Sequence, residues 1–238
     1  MDDFFDRLFK ATPNAWVTPT LVALNVLAWG AALALGADFM NPSSEVLLQL
    51  GGNYIEFTLR QPWRLVSAMF LHAGLFHLAF NMWALWDMGK LAERFYGNGQ
   101  FLLIYMLSGT FGSLASLFFG AKVTVAVGAS GAIFGVAGAL AAGVFTKPNK
   151  LPPRLVSSMR TSLLGFIGIS LFMGFTIANI DNAAHIGGLI SGFVLASVLA
   201  EKYDWEEYKR SRYPRLGVAS VASVLVIWFI WRSVALPA

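Results

Sequence analysis

The chain has 238 residues, of which 57% are hydrophobic and only 13% are charged, with a net charge of +4. Soluble domains usually carry about a quarter charged residues, so the composition excludes an ordinary soluble protein, including one that binds nucleic acid, and indicates a membrane protein. The absence of cysteine excludes disulfide bonds, thiolate metal sites and a cysteine nucleophile, and we expect neither a metal nor a cofactor.

Seven apolar segments have about the length needed to cross a bilayer, which is roughly 20 mostly apolar residues. They lie near residues 16–36, 70–88, 100–120, 125–146, 161–180, 183–200 and 216–235. The long stretch between the first two segments is not simply polar, and we expect part of it to lie in the membrane interface. The chain is therefore predicted to be an all-α polytopic membrane protein.

The distribution of lysine and arginine predicts the orientation of these segments. With the N-terminus inside, only four of the basic residues lie outside, namely Arg60, Arg64, Lys122 and Arg232. An excess of basic residues in cytoplasmic loops is the usual arrangement. We expect a short cytoplasmic segment at 1–15, no cleavable signal peptide, a C-terminus outside, and a location in a bacterial inner membrane.

The second apolar segment carries three polar residues that are unusual in a membrane. His77 and Asn81 are four residues apart and share a helix face, which suits either contacts between helices or hydrogen-bond donors in an active site. His72 is five residues before His77, roughly 140° round a helix from it, so we expect it to face elsewhere. We interpret His72 as a structural residue that hydrogen-bonds the stretch 37–69.

The fourth and sixth segments each carry one polar residue beside a stripe of small residues. Ser130 lies in GASGAIFG at 128–135, and His185 is the second residue of AHIGGLISG at 184–192. The stripes consist of Gly131, Gly135 and Gly138 in the fourth segment and of Gly188 and Gly192 in the sixth.

Small residues spaced in this way let membrane helices approach closely. If the two stripes meet, Ser130 and His185 come within hydrogen-bond reach, where histidine can take the serine proton. By itself, a serine among glycines in a membrane helix more often serves packing. Asp181 and Asn182 precede His185 closely enough to orient it, but the spacing requires neither, and we predict a dyad.

Together these segments resemble the rhomboid family of intramembrane serine proteases. The matching pieces are Trp63-Arg64, HAGLFHLAFN at 72–81, GASG at 128–131 and AHIGGLISG at 184–192. They occur in the family's order. The resemblance implies a six-helix rhomboid core at 16–200, followed by a cytoplasmic basic linker at 201–215 and one extra C-terminal transmembrane helix at 216–238.

The resemblance also implies roles for individual residues. Ser130 would be the nucleophile, His185 the base, and His77 and Asn81 part of the oxyanion hole. Residues with a structural role near this site would be His72, Trp63, Arg64, Gly128, Gly131, Phe134, Gly188 and Gly192. Trp63 and Arg64 would stabilise the first loop, and Phe134, one turn after Ser130, would support the His185 ring.

The implied activity is hydrolysis of peptide bonds in or near transmembrane segments of other membrane proteins. Such a segment would enter sideways and unwind locally, past a gate in the fifth segment, where Phe166, Phe172 and Phe175 are bulky candidates. The expected partners are transmembrane substrates and the lipid bilayer; the sequence predicts no oligomeric state.

Two alternatives remain open from the sequence. A catalytically silent rhomboid-like protein would bind transmembrane segments without cutting them, but such relatives typically lose the serine or the histidine. A carrier that uses intramembrane histidines would often show an internal repeat, and the sequence has none.

Overall fold

The computed structural model describes residues 2–120 and 125–235, a range that omits Lys122. Its regular structure is helical apart from one isolated β-bridge. The helices are α1 (Asp2–Ala11), α2 (Val17–Ala34), α3 (Ser44–Gln49), α4 (Ile55–Thr58), α5 (Arg64–Ser67), α6 (Leu75–Tyr96), α7 (Asn98–Phe119), α8 (Ser130–Thr146), α9 (Pro153–Thr176), α10 (Asn182–Val198) and α11 (Trp205–Ala235). The predicted all-α class is confirmed.

Within the described residues, four helices are long and apolar enough to cross a membrane, namely α2, α7, α9 and α11. The pair formed by Arg64–Phe70 and α6, bent by 94°, would be a fifth span. Helices α8 and α10 are apolar but have only 17 residues each, which is the lower limit for a span. The count of six helices plus one stays a prediction.

Helix α8 lies at the centre of the bundle. All of its residues from Gly131 to Val144 are buried, and it packs against α6, α7, α9 and α10. A helix that is apolar on every side is one that protein encloses. Small residues make the enclosure tight: a Cβ added at Gly135 would collide with the side chain of Ser108 on α7. Ser130 is therefore anchored at the start of a helix that protein encloses from Gly131 to Val144.

A buried carboxylate joins α2 to α6. Glu93 is fully buried and accepts hydrogen bonds from the backbone amides of Val17 and Thr18, at 2.7 and 2.9 Å, and from the Thr18 hydroxyl at 2.7 Å. The first amides of a helix have no partner within it, and a negative charge there also complements the helix dipole. Glu93 thus fixes the start of α2 at the end of the bundle opposite Ser130.

The same opposite end carries ion pairs between the α8–α9 loop and the chain that enters α11. Lys147 Nζ donates to both carboxylate oxygens of Glu201, at 2.7 and 2.8 Å, and Glu201 is buried. The basic stretch 201–215, expected to be a linker, is helical from Trp205 onward. As a result α11 is a single helix of 31 residues that continues through Pro214.

Helix α9 is less enclosed than its neighbours. Its buried residues, Val156, Met159 and Leu163, all lie in its first half. In the second half Phe172 is 67% and Phe175 is 78% exposed. The half of α9 that runs toward the Ser130 end therefore has few contacts holding it to the bundle.

Candidate active site

Ser130 is the first residue of α8 and follows a sharp turn of the backbone. Gly128 has a φ of 126°, a conformation that favours glycine, and its amide donates to the carbonyl oxygen of Ala68 at 2.9 Å. The amides at the start of α8 have no carbonyl partner within the helix. Ser130 therefore lies beside free backbone donors and the positive end of the helix dipole.

The Ser130 Oγ atom lies 3.0 Å from Nε2 of His185, which is in the first turn of α10. His185 is buried. Phe134 stacks on its imidazole ring, with centroids 4.3 Å apart and planes 8° from parallel. The ring is thus fixed on one face by Phe134 and at one edge by Ser130.

Glycines bring α8 and α10 this close together. A Cβ added at Gly188 would collide with the carbonyl oxygen of Gly131, and one at Gly192 with that of Gly135. Backbone therefore contacts backbone, which larger side chains would prevent. The two stripes seen in the sequence face each other, with Ser130 and His185 at one end.

Asp181 and Asn182, the candidates for orienting His185, have other partners. Asp181 accepts hydrogen bonds from the Ala184 amide, at 3.0 Å, and from the Ser116 hydroxyl on α7. Asn182 donates to the carbonyl oxygen of Leu171 on α9 at 3.1 Å. Among the described residues, Nδ1 of His185 has no hydrogen-bond partner. Neither Asp181 nor Asn182 therefore hydrogen-bonds the His185 ring.

His77 and Asn81 flank the turn before Ser130. A Cβ added at Gly128 would lie 2.8 Å from Nε2 of His77 and 3.8 Å from Nδ2 of Asn81. The Ala73 amide donates to Nδ1 of His77 at 3.2 Å, so a neutral ring carries its proton on Nε2. Asn81 uses one amide hydrogen for the carbonyl oxygen of His77, at 2.9 Å. Both side chains present a donor nitrogen near the segment that leads into Ser130.

The position of His72 differs from the prediction. Helix α6 begins at Leu75, after Gly74 with a φ of 118°, so His72 is not on the helix and the angle calculated from its spacing does not apply. Its buried ring packs edge-on against His77, with centroids 5.2 Å apart. It makes no hydrogen bond to the described residues 37–69, so its contact is with the candidate site.

Arg64 holds the first loop, which is the chain between α2 and α6. Its guanidinium donates to the carbonyl oxygens of Leu48, at 2.6 Å, and Gly52, at 3.1 Å, and to the side chain of Gln61 at 2.7 Å. The guanidinium carbon also lies 4.9 Å from the ring centroid of Trp63, which is half exposed. These contacts stabilise the loop without touching Ser130.

Of the three bulky residues on α9, the structure brings one to the site. The ring of Phe166 lies 5.4 Å from that of Phe134, which in turn stacks on His185. Phe172 and Phe175, which are closer to the C-terminal end of α9, are exposed.

One residue near the site, Asn53, was not predicted from the sequence. Asn53 pairs with Ala126 through two backbone hydrogen bonds, at 3.0 and 2.9 Å, and its side chain donates to the Ser113 carbonyl oxygen on α7. The sequence signal was only an asparagine after two glycines, which is typical of a turn and does not identify a partner. No group of three histidine, aspartate or glutamate side chains suited to a metal occurs in 2–120 and 125–235.

Comparison with known proteins identifies the family of the chain. The family model described as the Rhomboid domain matches residues 59–202, which is more than half of the chain. The chain belongs to the rhomboid family. The matched range includes His77, Asn81, Ser130 and His185. Family membership makes it a multi-pass membrane protein of a family of serine proteases.

Individual relatives come from bacteria and from a plant. The chain is 47% identical over 137 residues to Rhomboid protease GluP of Bacillus subtilis (strain 168), covering 58% of this chain and 26% of GluP. It is 33% identical over 201 residues to Rhomboid protease AarA of Providencia stuartii, covering 76% and 71%. It is 33% identical over 230 residues to RHOMBOID-like protein 6, mitochondrial, of Arabidopsis thaliana, covering 83% and 74%. The chain thus spans about a quarter of the length of GluP.

Proposed function

We propose that this rhomboid protein is an intramembrane serine endopeptidase with Ser130 as nucleophile and His185 as general base. The observation that carries the proposal is the distance of 3.0 Å between Ser130 Oγ and His185 Nε2. A serine hydroxyl is a weak nucleophile until an adjacent base removes its proton, and imidazole is suited to that task near neutral pH. Stacking by Phe134 keeps the ring aligned for the transfer.

The reaction proceeds through an acyl-enzyme. Ser130 Oγ attacks the carbonyl carbon of the scissile peptide bond while its proton passes to Nε2 of His185. The tetrahedral intermediate collapses, the C–N bond breaks, and His185 returns the proton to the leaving amine. Water then attacks the ester on Ser130, with His185 again taking a proton. When this second intermediate collapses, the bond between the carbonyl carbon and Ser130 Oγ breaks, His185 returns the proton to Oγ, and the acid product leaves.

We assign stabilisation of the oxyanion to three groups near Gly128. They are the free backbone amide of Ser130, Nε2 of His77 and the second amide hydrogen of Asn81. Donors that are already oriented stabilise developing charge most strongly where water is excluded. Support comes from the position of His77 and Asn81 against Gly128, and from the Ala73 hydrogen bond that leaves the His77 proton on Nε2.

The proposed substrates are transmembrane segments of other proteins, which enter from the side of α9. The second half of α9 is exposed, and Gly165 and Gly168 have no atoms within 4 Å of the position of a Cβ. A helical peptide bond is shielded by its own hydrogen bonds, so cleavage requires local unwinding. We therefore expect a preference for segments with glycine or other small residues near the catalytic level.

We propose that the Ser130 end of the bundle faces the outside and that the N-terminus is cytoplasmic. The support is the excess of basic residues at the opposite end. We also propose the division into a six-helix core at 16–200 followed by a seventh transmembrane helix. The bacterial inner membrane is proposed because the relatives GluP and AarA are bacterial. The plant relative does not support this location.

The experiment that tests this function compares wild type, Ser130→Ala, His185→Ala and the double variant in proteoliposomes. We expect a fluorophosphonate probe to label only the wild type, and only the wild type to cleave a transmembrane substrate. Because the two residues act as a unit, the double variant should be no worse than either single one. Cleavage by folded Ser130→Ala would overturn the nucleophile assignment, and a folded wild type that neither labels nor cleaves would favour the catalytically silent alternative.

A further inference from the structure

The last turns of α11 pack against an apolar cluster that joins the first loop to α7. Ile227, Ile230 and Trp231 share one helix face, because residues three and four apart are neighbours on a helix. This face packs against a small cluster of buried residues, Leu65 of the first loop and Leu114 and Leu117 of α7, against which Ile55 and Phe111 also pack. Helix α11 thus reaches the Ser130 end of the molecule and shares this cluster with the loop.

The first loop needs contacts of this kind to keep its shape. Its helices α3, α4 and α5 have only four to six residues each. Helices this short are not stable on their own, because few hydrogen bonds offset the cost of nucleation. Arg64 stabilises the loop from within, and the face of α11 supports it from outside.

The loop in turn holds the chain that leads into Ser130. Asn53 pairs with Ala126 by two backbone hydrogen bonds, and the carbonyl oxygen of Ala68 accepts the amide of Gly128. Gly128 is the residue against which His77 packs. A displacement of the loop therefore moves the donors assigned to the oxyanion.

We propose that α11 positions the catalytic site through the first loop and that Trp231 is the positioning residue. The proposal rests on the protease function proposed above. Trp231 does not belong to the assigned catalytic groups; it acts by holding the cluster through which Leu65 ties the loop to α7. Since the effect falls on the oxyanion donors, loss of Trp231 lowers turnover more than substrate binding.

The test compares Trp231→Ala with Trp228→Ala in proteoliposomes. Trp228 lies on the same helix but is 54% exposed, so its loss controls for removal of an indole. For Trp231→Ala we expect kcat to fall on the order of tenfold, because small displacements in an active site are costly, with little change in KM. The rate of probe labelling at Ser130 should fall by a similar factor. Trp228→Ala should retain the wild-type kcat and labelling rate. Trp231→Phe should recover most of the kcat and labelling rate that Trp231→Ala loses.

A second measurement separates positioning from general stability. Activities are measured well below the melting temperatures, and hydrogen exchange is followed at the backbone amides of Asn53 and Ala126. We expect Trp231→Ala to speed exchange at both amides. If Trp231→Ala does not fold, Ile227→Ala removes a smaller part of the same face and is measured in its place.

Two results would overturn the proposal. One is equal loss of turnover in Trp231→Ala and Trp228→Ala; the other is wild-type turnover and exchange in Trp231→Ala. Failure of the protease function is seen separately, as absence of labelling in the wild type. Failure of the positioning role is seen as wild-type labelling that Trp231→Ala leaves unchanged.

Discussion

Gly188 packs directly on the backbone of Gly131, so closely that a Cβ on Gly188 would collide with the Gly131 carbonyl oxygen. Gly131 follows Ser130, and Gly188 is one turn after His185. The contact between these two glycines therefore sets the separation of the serine hydroxyl and the imidazole.

This contact predicts that Gly188→Ala damages both stability and activity. Forcing a methyl group into a closed contact typically costs about 1–3 kcal/mol, only partly offset by the better helix propensity of alanine. We expect a lower melting temperature, and substrate cleavage reduced further than stability alone explains, because α8 and α10 must move apart.

The matched control is Gly165→Ala on α9, where nothing lies within 4 Å of the added Cβ. That variant should melt at or slightly above the wild-type temperature. Wild-type melting and cleavage in Gly188→Ala would contradict the importance of the glycine contact.

The two neighbouring histidines should respond differently to replacement by phenylalanine. His77→Phe keeps a ring but removes the Nε2 donor, and loss of one oxyanion donor costs about 3 kcal/mol, or 10²–10³ in kcat. The buried ring of His72 packs on His77 and is not among the assigned oxyanion donors, so His72→Phe should cleave at nearly the wild-type rate.

His72→Ala leaves a cavity beside His77 and should lower the melting temperature. Steady-state kinetics with one transmembrane substrate checks the whole set, with circular dichroism to verify folding. If His72→Phe loses as much turnover as His77→Phe, then His72 takes part in the chemistry and its assignment as a packing residue is wrong.

The sequence predicted the central helix pair because membrane helices leave a simple signal. Small residues four apart mark a face where backbones meet, and the predicted stripes through Gly131 and Gly188 do face each other. Stacking of Phe134 on His185 also follows once the serine and histidine helices are paired, since Phe134 lies one turn from Ser130.

Features that depend on tertiary contacts were not predictable in this way. The prediction for His72 from helical spacing was wrong because α6 begins only after Gly74, so His72 is not on the helix. The short helices of the first loop have too few residues to produce a periodic pattern. Glu93 was missed because nothing local indicates that a carboxylate will receive the amides of a helix 75 residues away. Trp231 and Trp228 differ in exposure only because of what α11 packs against.

A pH-dependent contribution to stability is predicted at the end opposite Ser130. Lys150 Nζ donates to the carboxylate of Asp204 at 2.6 Å. This hydrogen bond lowers the pKa of Asp204 and raises the pKa of Lys150. The stability that Asp204 contributes is fully present above its unfolded pKa of about 3.9 and is lost as the pH falls through its lowered folded pKa. The stability that Lys150 contributes is fully present below its unfolded pKa of about 10.4 and is lost as the pH rises through its raised folded pKa.

Lys150→Ala should therefore reduce the free energy of unfolding near pH 7, by no more than about 1 kcal/mol because both side chains are partly exposed to solvent. The difference from wild type should shrink as the pH falls through the lowered pKa of Asp204, and in 1 M salt, which screens exposed pairs. Arg154→Ala, at an exposed position on α9, is the control for removal of one positive charge. A deficit in Lys150→Ala that is the same at every pH and salt concentration would exclude the ion pair as its cause.

The side of the membrane from which water reaches the catalytic serine is also predicted. The orientation proposed from the basic residues places the start of α8 at the outer face. Below Ser130 the helix is buried and apolar from Gly131 to Val144, so it offers no polar route to the other side. Because the chain has no cysteine, Ser130→Cys carries a single thiol that reports access at this position.

That thiol should react with a membrane-impermeant reagent added to the outside of right-side-out vesicles and should be protected from the same reagent added to inverted vesicles. A membrane-permeant reagent is applied to both preparations as a control. A thiol that only the membrane shields reacts with the permeant reagent, whereas a thiol buried in protein reacts with neither reagent. A second variant, Ser158→Cys, places the thiol at an exposed position near the start of α9, at the opposite end of the bundle, and should show the reverse pattern. If Ser130→Cys reacts only in inverted vesicles, the proposed orientation is reversed, and cleavage would then take place near the cytoplasmic surface.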